Sequence, residues 1–369
     1  MRHARAAARL AAVLVVLVPA TRAWAASPWT VQTSPSPGHG PALHGVTTLS
    51  PTSAWAVGSY TNSAHDDLTL IEHYDGTAWT QQTSYSVADA DNHLWAVKGV
   101  TDSIAIAVGD SMDGNFVKRT LVERYNGTKW VHQSSPSPDP DYNSLASVAA
   151  PTGANAWAVG EKGLNTTTLI EHYDGSAWTV QTSPHPGSAS SLTGVSADSS
   201  SSAWAAGTWY SGGGDGHTLI EHYNGTKWVA QATPDLSDEG SFSSINAVSA
   251  TDVWAVGYQI TQGFPRTLIE HYDGTSWTVV ASPNAGSNQN YLYGVKGTSS
   301  ANAWAVGSYS TDSGNERTLV LHYDGASWTV QSSPNIGSFD ELYTVGATSS
   351  TNAFAVGVHG SKTLIMHCC

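Results

Sequence analysis

Cysteine is almost absent from this chain of 369 residues: the two it has, Cys368 and Cys369, are its last two. That placement excludes a disulfide framework as the source of stability. It leaves open a vicinal disulfide, two thiols or a bridge to another molecule. Charge is scarce as well, at 12% of residues, and positive charge is scarcest, with 15 Lys and Arg against 29 Asp and Glu. A net of −14 repels phosphate backbones and anionic membrane surfaces, so nucleic acid is not an expected partner. After residue 18 no apolar stretch is long enough to span a bilayer. Ser-His-Asp elbows, phosphate-binding loops and Cys-Cys metal spacings are missing too.

What is present begins with a leader. Arg2, Arg5 and Arg9 precede an apolar run at residues 10–18, and Ala23-Trp24-Ala25 follows as a small-x-small cleavage pattern. Residues 1–25 therefore read as a secretory signal peptide. Residues 26–369 form the expected mature chain: one domain, exported, not inserted in a membrane, and monomeric. Cleavage leaves 11 basic against 29 acidic residues, a net of −18. The fifteen Trp favour an aromatic-rich β architecture.

Repetition then fixes the fold class. Ala54-Trp55-Ala56-Val57-Gly58 has counterparts ending at Gly109, Gly160, Gly207, Gly257, Gly307 and Gly357, seven copies spaced 47 to 51 residues apart. Periods of that length mark propeller blades or solenoid units. Each repeat holds four short β-type segments. In the first repeat these are Leu43-His44-Gly45-Val46, the Trp55 segment, Thr69-Leu70-Ile71-Glu72-His73-Tyr74 and a segment opening at Trp79. The first segment has echoes at residues 94–97, 145–148, 192–195, 245–248, 292–295 and 342–345. Asp75-Gly76, or Asn-Gly at Asn126 and Asn224, supplies the hairpin turn between the third and fourth segments. Asn126-Gly127-Thr128 and Asn224-Gly225-Thr226 also match a glycosylation sequon, but their repeated position reads as turn chemistry. The last repeat stops before its fourth segment, and Trp29-Thr30-Val31-Gln32 at the other end matches Trp178-Thr179-Val180-Gln181. A ring uses such an offset to join its ends and hide an edge strand, whereas a solenoid has no use for it. The expectation is an all-β, seven-bladed β-propeller with four-stranded antiparallel blades, the last blade closed by the N-terminal strand.

A single Gly after the second strand, then Tyr-Asp, then Trp opening the fourth, resembles the kelch and galactose-oxidase-type propeller repeat over residues 29–369. The chain departs from it where Ser59 replaces the second Gly of the kelch doublet, and in its short Tyr-to-Trp interval. The resemblance implies a fold that hosts both binding proteins and enzymes. The cross-linking Cys of a copper-radical site has no counterpart here.

Residues that repeat read as scaffold; residues that differ between blades read as candidate site. Glu72-His73 recurs at Glu171-His172, Glu221-His222 and Glu270-His271, with His322 and His367 in the last two blades. Histidines in six separate sheets cannot converge on one ion, so a blade-stabilising hydrogen bond is expected, with repeated sugar sites along the rim as the rival. The second residue of each first strand should lie near the axis on the loop face: His44, Trp95, Ala146, Thr193, Asn246, Tyr293 and Tyr343. Closure makes blades six, seven, one and two neighbours, so Tyr293, Tyr343, His44 and Trp95 form an arc on which a sugar face can stack. Asp91 is the expected polar partner of that site. No cofactor is expected, apart from Ca²⁺ at clustered oxygens such as Asp89 with Asp91 or Asp110 with Asp113. Arg119, Arg266, Arg317 and Lys362 share one position before the third strand, where they suit solvated strand ends or the grip on a carboxylate sugar. The leading function is a secreted, non-catalytic binding module for carbohydrate or another extracellular polymer. A glycoside hydrolase or lyase using top-face carboxylates and a protein–protein scaffold are the alternatives.

Overall fold

Alternation of Trp55 and Val57 with Ala54 and Ala56 gives one strand two different faces, each of which must be covered by another sheet. The computed structural model, which describes residues 29–236 and 238–369, shows how. The expected signal peptide and the first residues of the mature chain lie outside the described residues. In the first blade, β1 (Thr30–Gln32) has no part, and β2 (His39–Ser50), β3 (Ser53–Thr61), β4 (Asp67–Tyr74) and β5 (Trp79–Gln82) pair in that order. Trp55, Val57 and Ile71 pack against Leu94, Val97 and Trp130 of the second blade. Ala54, Ala56 and Leu70 pack against Phe354, Val356 and Ile365 of the seventh. Among the described residues, seven such sheets, all antiparallel, form a ring of 28 strands. Between neighbouring blades lie seven buried clusters.

Closure uses the same interface as every other junction. β1 pairs with the strand Lys362–Cys368 in the register Thr30↔His367, which repeats Thr80↔His73 of the first blade. Trp29 meets Trp304 edge-on at 5.3 Å and 88°, as Trp130 meets Trp55 at 5.1 Å and 86°. Thr363 donates to the Pro35 carbonyl at 2.9 Å, as Thr318 does to Pro334 at 3.2 Å. The two cysteines at the end of this blade form a vicinal disulfide.

The repeated glycines have two distinct causes. Gly76 sits at φ 93°, and its five counterparts from Gly127 to Gly325 lie between 90° and 96°, a region costly for any side chain. Beside it, the Asp75 carboxylate accepts from the Thr77 and Ala78 amides at 2.8 and 3.0 Å, and Asn126 does the same for Thr128 and Lys129. The sequon asparagines are thus engaged in their turns. Gly58 is needed for another reason: a Cβ there would overlap the Ala42 carbonyl oxygen, and the same overlap recurs at its six counterparts. This close approach abuts a β-bulge. Pairing jumps from Leu43↔Gly58 to Gly45↔Val57, and it skips the corresponding residue in all seven blades.

The fifth blade corrects the expected alignment. Phe242, not Ile245, pairs with Gly257 and occupies the place of Leu43. A Phe where the other six blades carry Leu hides the register, and the Ile-Asn-Ala-Val run three residues on supplies a false match.

Candidate functional site

The residue that each bulge ejects from pairing turns toward the axis, the usual consequence of an extra residue in one strand. Around the ring these residues are His44, Trp95, Ala146, Thr193, Ser243, Tyr293 and Tyr343, and all seven line one axial channel of about 350 Å³. Ser243 takes the place expected for Asn246. Asn246 instead belongs to a second tier, three residues further along each first strand, with Thr47, Lys98, Ala149, Ser196, Lys296 and Gly346.

Four consecutive blades carry rings in the upper tier, and those rings touch. His44 lies 4.6 Å from Trp95 and stacks on Tyr343 at 5.3 Å; Tyr343 lies 6.0 Å from Tyr293. The arc extends outward at both ends, through His93 stacked on Trp95 and Tyr291 stacked on Tyr293. Across the channel Ala146 leaves room, and Thr193 and Ser243 carry hydroxyls. Thr193 already donates to the Phe242 carbonyl at 2.8 Å.

Hydrogen bonds hold the platform still. Trp95 Nε1 donates to Asp110 Oδ2 at 2.7 Å, and Ser144 donates to the same oxygen at 2.6 Å. Lys118 Nζ stands 3.4 Å from the other oxygen of this buried carboxylate. Tyr343 donates to Glu341 at 2.9 Å, and burial raises the Tyr343 and Tyr293 hydroxyls above the ordinary range. His44 is pushed down to about 4, first by burial and then by His93, so its ring is neutral at neutral pH. The upper tier therefore presents π-faces, an uncharged imidazole and protonated phenols.

Charge appears only in the deeper tier. Among the described residues, Lys98 and Lys296 are the sole charged members of the lining, which contains no Asp or Glu. Burial lowers Lys98; burial and then repulsion from Lys98 bring Lys296 down to about 8. Sequence reasoning misses both lysines, although the sign is available: they stand at the fifth place of the first-strand repeat, where the other blades have Thr, Ala, Ser, Asn or Gly.

The remaining candidates are placed elsewhere. Asp91 is outside the channel lining, and its Oδ1 accepts from the Asp67 amide at 3.3 Å. Asp110 serves Trp95, and Asp113 caps the amides of Asn115 and Val117. Among the described residues no group of three or more His, Cys, Asp and Glu is arranged to hold a metal ion. Arg119, Arg266 and Arg317 bond carbonyls of the loops that enter the next blade, at Asp139, Ser287 and Gly337 respectively. Lys362 is exposed. The three arginines stitch loops rather than face the axis.

Glu72 and His73 point to opposite sides of their sheet, as neighbours on a strand must. Each histidine lies on the second-strand ring of its own blade, His73 on Trp55 at 4.1 Å and His367 on Phe354 at 4.2 Å. Most reach a polar partner, such as Asp252 for His271 at 2.8 Å and Asn302 for His322 at 2.7 Å. The glutamates are fully buried between blades. Burial pushes Glu72, Glu171, Glu221 and Glu270 up to about 8 and Glu123 to about 7. Leu321 and Met366 fill the same place in blades six and seven, by their pairing with Ala305 and Ala355. The scaffold thus accepts an apolar side chain there.

No protein-family model matches the chain, and no curated protein matches its sequence. Solved structures resemble it in fold. YCF48 bound to D1 peptide aligns with a TM-score of 0.59 at 14% identity, over 93% of this chain and 96% of that one. An ulvan lyase of polysaccharide lyase family 25 aligns at 0.55 and 8% identity, over 88% and 90%. The fucose-specific lectin from Aleuria aurantia aligns at 0.50 and 10% identity, over 80% and 97%. Identities this low define the class, a β-propeller, and leave its use to the site.

Proposed function

We propose that this propeller is an exported, non-catalytic binding protein that takes a carbohydrate, or the sugar-bearing end of another extracellular polymer, at the mouth of the axial channel. We also assign its repeat to the kelch-like class on the single Gly, Tyr-Asp and Trp pattern. The observation that carries the function is the contact arc Tyr293–Tyr343–His44–Trp95 opposite small hydroxyl residues. Flat rings beside donors and acceptors match a ligand with one apolar face and many hydroxyls. The volume of about 350 Å³ is at the small end for ligand sites, which suits a terminal unit rather than a threaded chain. Propellers of similar shape include a lectin, a lyase and a peptide-bound protein, so both binding and catalysis occur on this fold.

Applying the mature chain to a glycan array tests the reading, with release of reducing or unsaturated sugar measured on any polysaccharide that binds. Binding without release is the expected outcome. Release of product from the bound polysaccharide makes the protein an enzyme. Silence on the array together with capture of a defined protein partner makes it a scaffold.

A further inference from the structure

Two ammonium groups share the deeper tier of the channel, and among the described residues nothing of opposite charge shares it with them. Neither Lys98 nor Lys296 forms an ion pair there, although both line the same channel. Such a pairing of like charges is costly, because each must be desolvated while repelling the other. The chain as a whole is acidic, at −14, so the cationic tier runs against the charge of its surroundings. A stacking platform alone has no need of it: Thr47, Ser196 and Asn246 show that uncharged polar residues fit at the same level.

We propose that an oxyanion carried by the sugar, a carboxylate or a sulfate ester, enters below the aromatic arc and is held between Lys98 and Lys296, so that the ligand is an acidic polysaccharide. This rests on the carbohydrate reading above and names its substrate class. The ring of the terminal residue stacks on Tyr343 and Trp95 while its anionic group descends to the lysines. The bound anion supplies the missing counter-charge and accepts charge-assisted hydrogen bonds from both ammonium groups. The acidic exterior disfavours general adhesion of polyanions, which confines recognition to a chain end.

The test is calorimetric titration of the mature chain with tetragalacturonate, with its carboxyl-reduced counterpart, with a sulfated carrageenan tetrasaccharide and its desulfated form, and with sodium sulfate. A short peptide with a free C-terminal carboxylate, and its amide, complete the set. At least one acidic tetrasaccharide should bind, and neutralising its anion should weaken it by about tenfold or more, the loss of its charge-assisted hydrogen bonds to the two lysines. Whichever acid binds tells carboxylate from sulfate. Lys98→Met and Lys296→Met should each cost the acidic probe a similar factor and leave the neutral counterpart unchanged, with thermal unfolding reporting that both variants are folded; Lys→Gln replaces any variant that is not. Equal binding of acidic and neutral sugars by all proteins overturns the anion site and leaves the carbohydrate reading standing. Lysine-dependent binding of sulfate or of the free-carboxylate peptide, with no tetrasaccharide bound, overturns both.

Discussion

The junctions between blades and the axial channel are built from the same four-strand repeat, yet they differ in what varies. At the junctions nearly the same residue types recur: Trp of the second strand, replaced by Ile106 in blade two and Phe354 in blade seven, against Trp of the next blade's fourth, at 5.1 Å for Trp55–Trp130, 5.2 Å for Trp157–Trp228 and 5.3 Å for Trp254–Trp328. In the channel, equivalent positions hold His, Trp, Ala, Thr, Ser and two Tyr. Packing has one good solution per junction, so repetition there follows from stability. The bulged position is released from pairing and from the junction core, so its side chain is free to serve a ligand. Substitutions at the two regions should therefore separate: stability without binding at the junctions, binding without stability in the channel.

The largest effect should come from the one junction that is not covalently continuous with its blade. Removing residues 26–33 takes away Trp29 and the strand paired with Lys362–Cys368. It also exposes the backbone edge of that strand for pairing with other chains. The truncated chain should unfold at a markedly lower temperature and self-associate in size-exclusion chromatography. An unchanged melting temperature with a monomeric profile would show that the ring does not depend on this closure.

Next in size is Trp254→Ala. Trp254 is 2% exposed, lies against His271 of its own blade and touches Tyr323 and Trp328 across the junction of blades five and six. Emptying such a site costs about 3–5 kcal/mol, measurable by denaturant unfolding. Affinity of the folded fraction for a channel ligand should stay at the wild-type value; a parallel loss of affinity would join the two regions into one.

Much of this division is legible in the sequence, because period, turn residues and the displaced Trp29 segment each report local physics. Closure, strand count and the arc of rings all follow from spacing. Register within one blade does not: Phe242 breaks the Leu pattern, and alignment of one strand by similarity selects Ile245. Asp91 looks like part of the site because it stands beside Trp95 in the sequence, but four residues along a strand carry a side chain well away from the axis. The lysine tier stays hidden because a charged residue at a repeated strand position reads as an ordinary solvated one. Its meaning appears only when the ring shows that its two members line one channel.

The buried glutamates give a smaller effect with a definite sign. Glu270 keeps its proton up to about pH 8 when folded and releases it near its ordinary value of 4.5 when unfolded. Between those values the folded chain binds more protons, so this contribution is complete at low pH and lost as pH rises through about 8. Glu72, Glu171 and Glu221 act in the same window. His73, His172, His222, His322 and His367 are held below their ordinary 6.5 by burial, which works in the opposite direction on acidification below that value. The interval free of the histidines is therefore about pH 6.5 to 8, across which the four glutamates lower the melting temperature as pH rises, opposed toward its upper end by the single Lys296, which is held down to about 8, and by the lowered Lys98. Glu270→Met, which copies Met366 at the same place in blade seven, should gain about 1–4 kcal/mol above about pH 8 and less at about pH 5. A loss of stability at alkaline pH would mean that the carboxylate has a partner worth more than its burial costs.

The finest test lies within the channel, between its two sides. Trp95 and Tyr343 stand in the arc; Ala146 and Ser243 hold the matching places opposite. Removing one stacking ring typically costs about 0.5–1.5 kcal/mol beyond its lost area, so Tyr343→Ala should weaken a bound oligosaccharide by about tenfold. Trp95→Ala should do at least as much, but it also strips a hydrogen bond from the buried Asp110 carboxylate, so part of its loss can come through a shifted platform. Trp95→Phe removes the same hydrogen bond while keeping a ring, and the difference between the two variants isolates stacking. Ala146→Ser should leave affinity within about twofold, since it neither adds nor removes a ring, whereas Ser243→Ala removes a facing hydroxyl and should cost less than the loss of either ring. If all four positions respond alike, the ligand contacts the whole tier and the arc has no privileged role. If none responds while the proteins remain folded, the rings are packing, and the recognition surface belongs to the repeated residues of the rim.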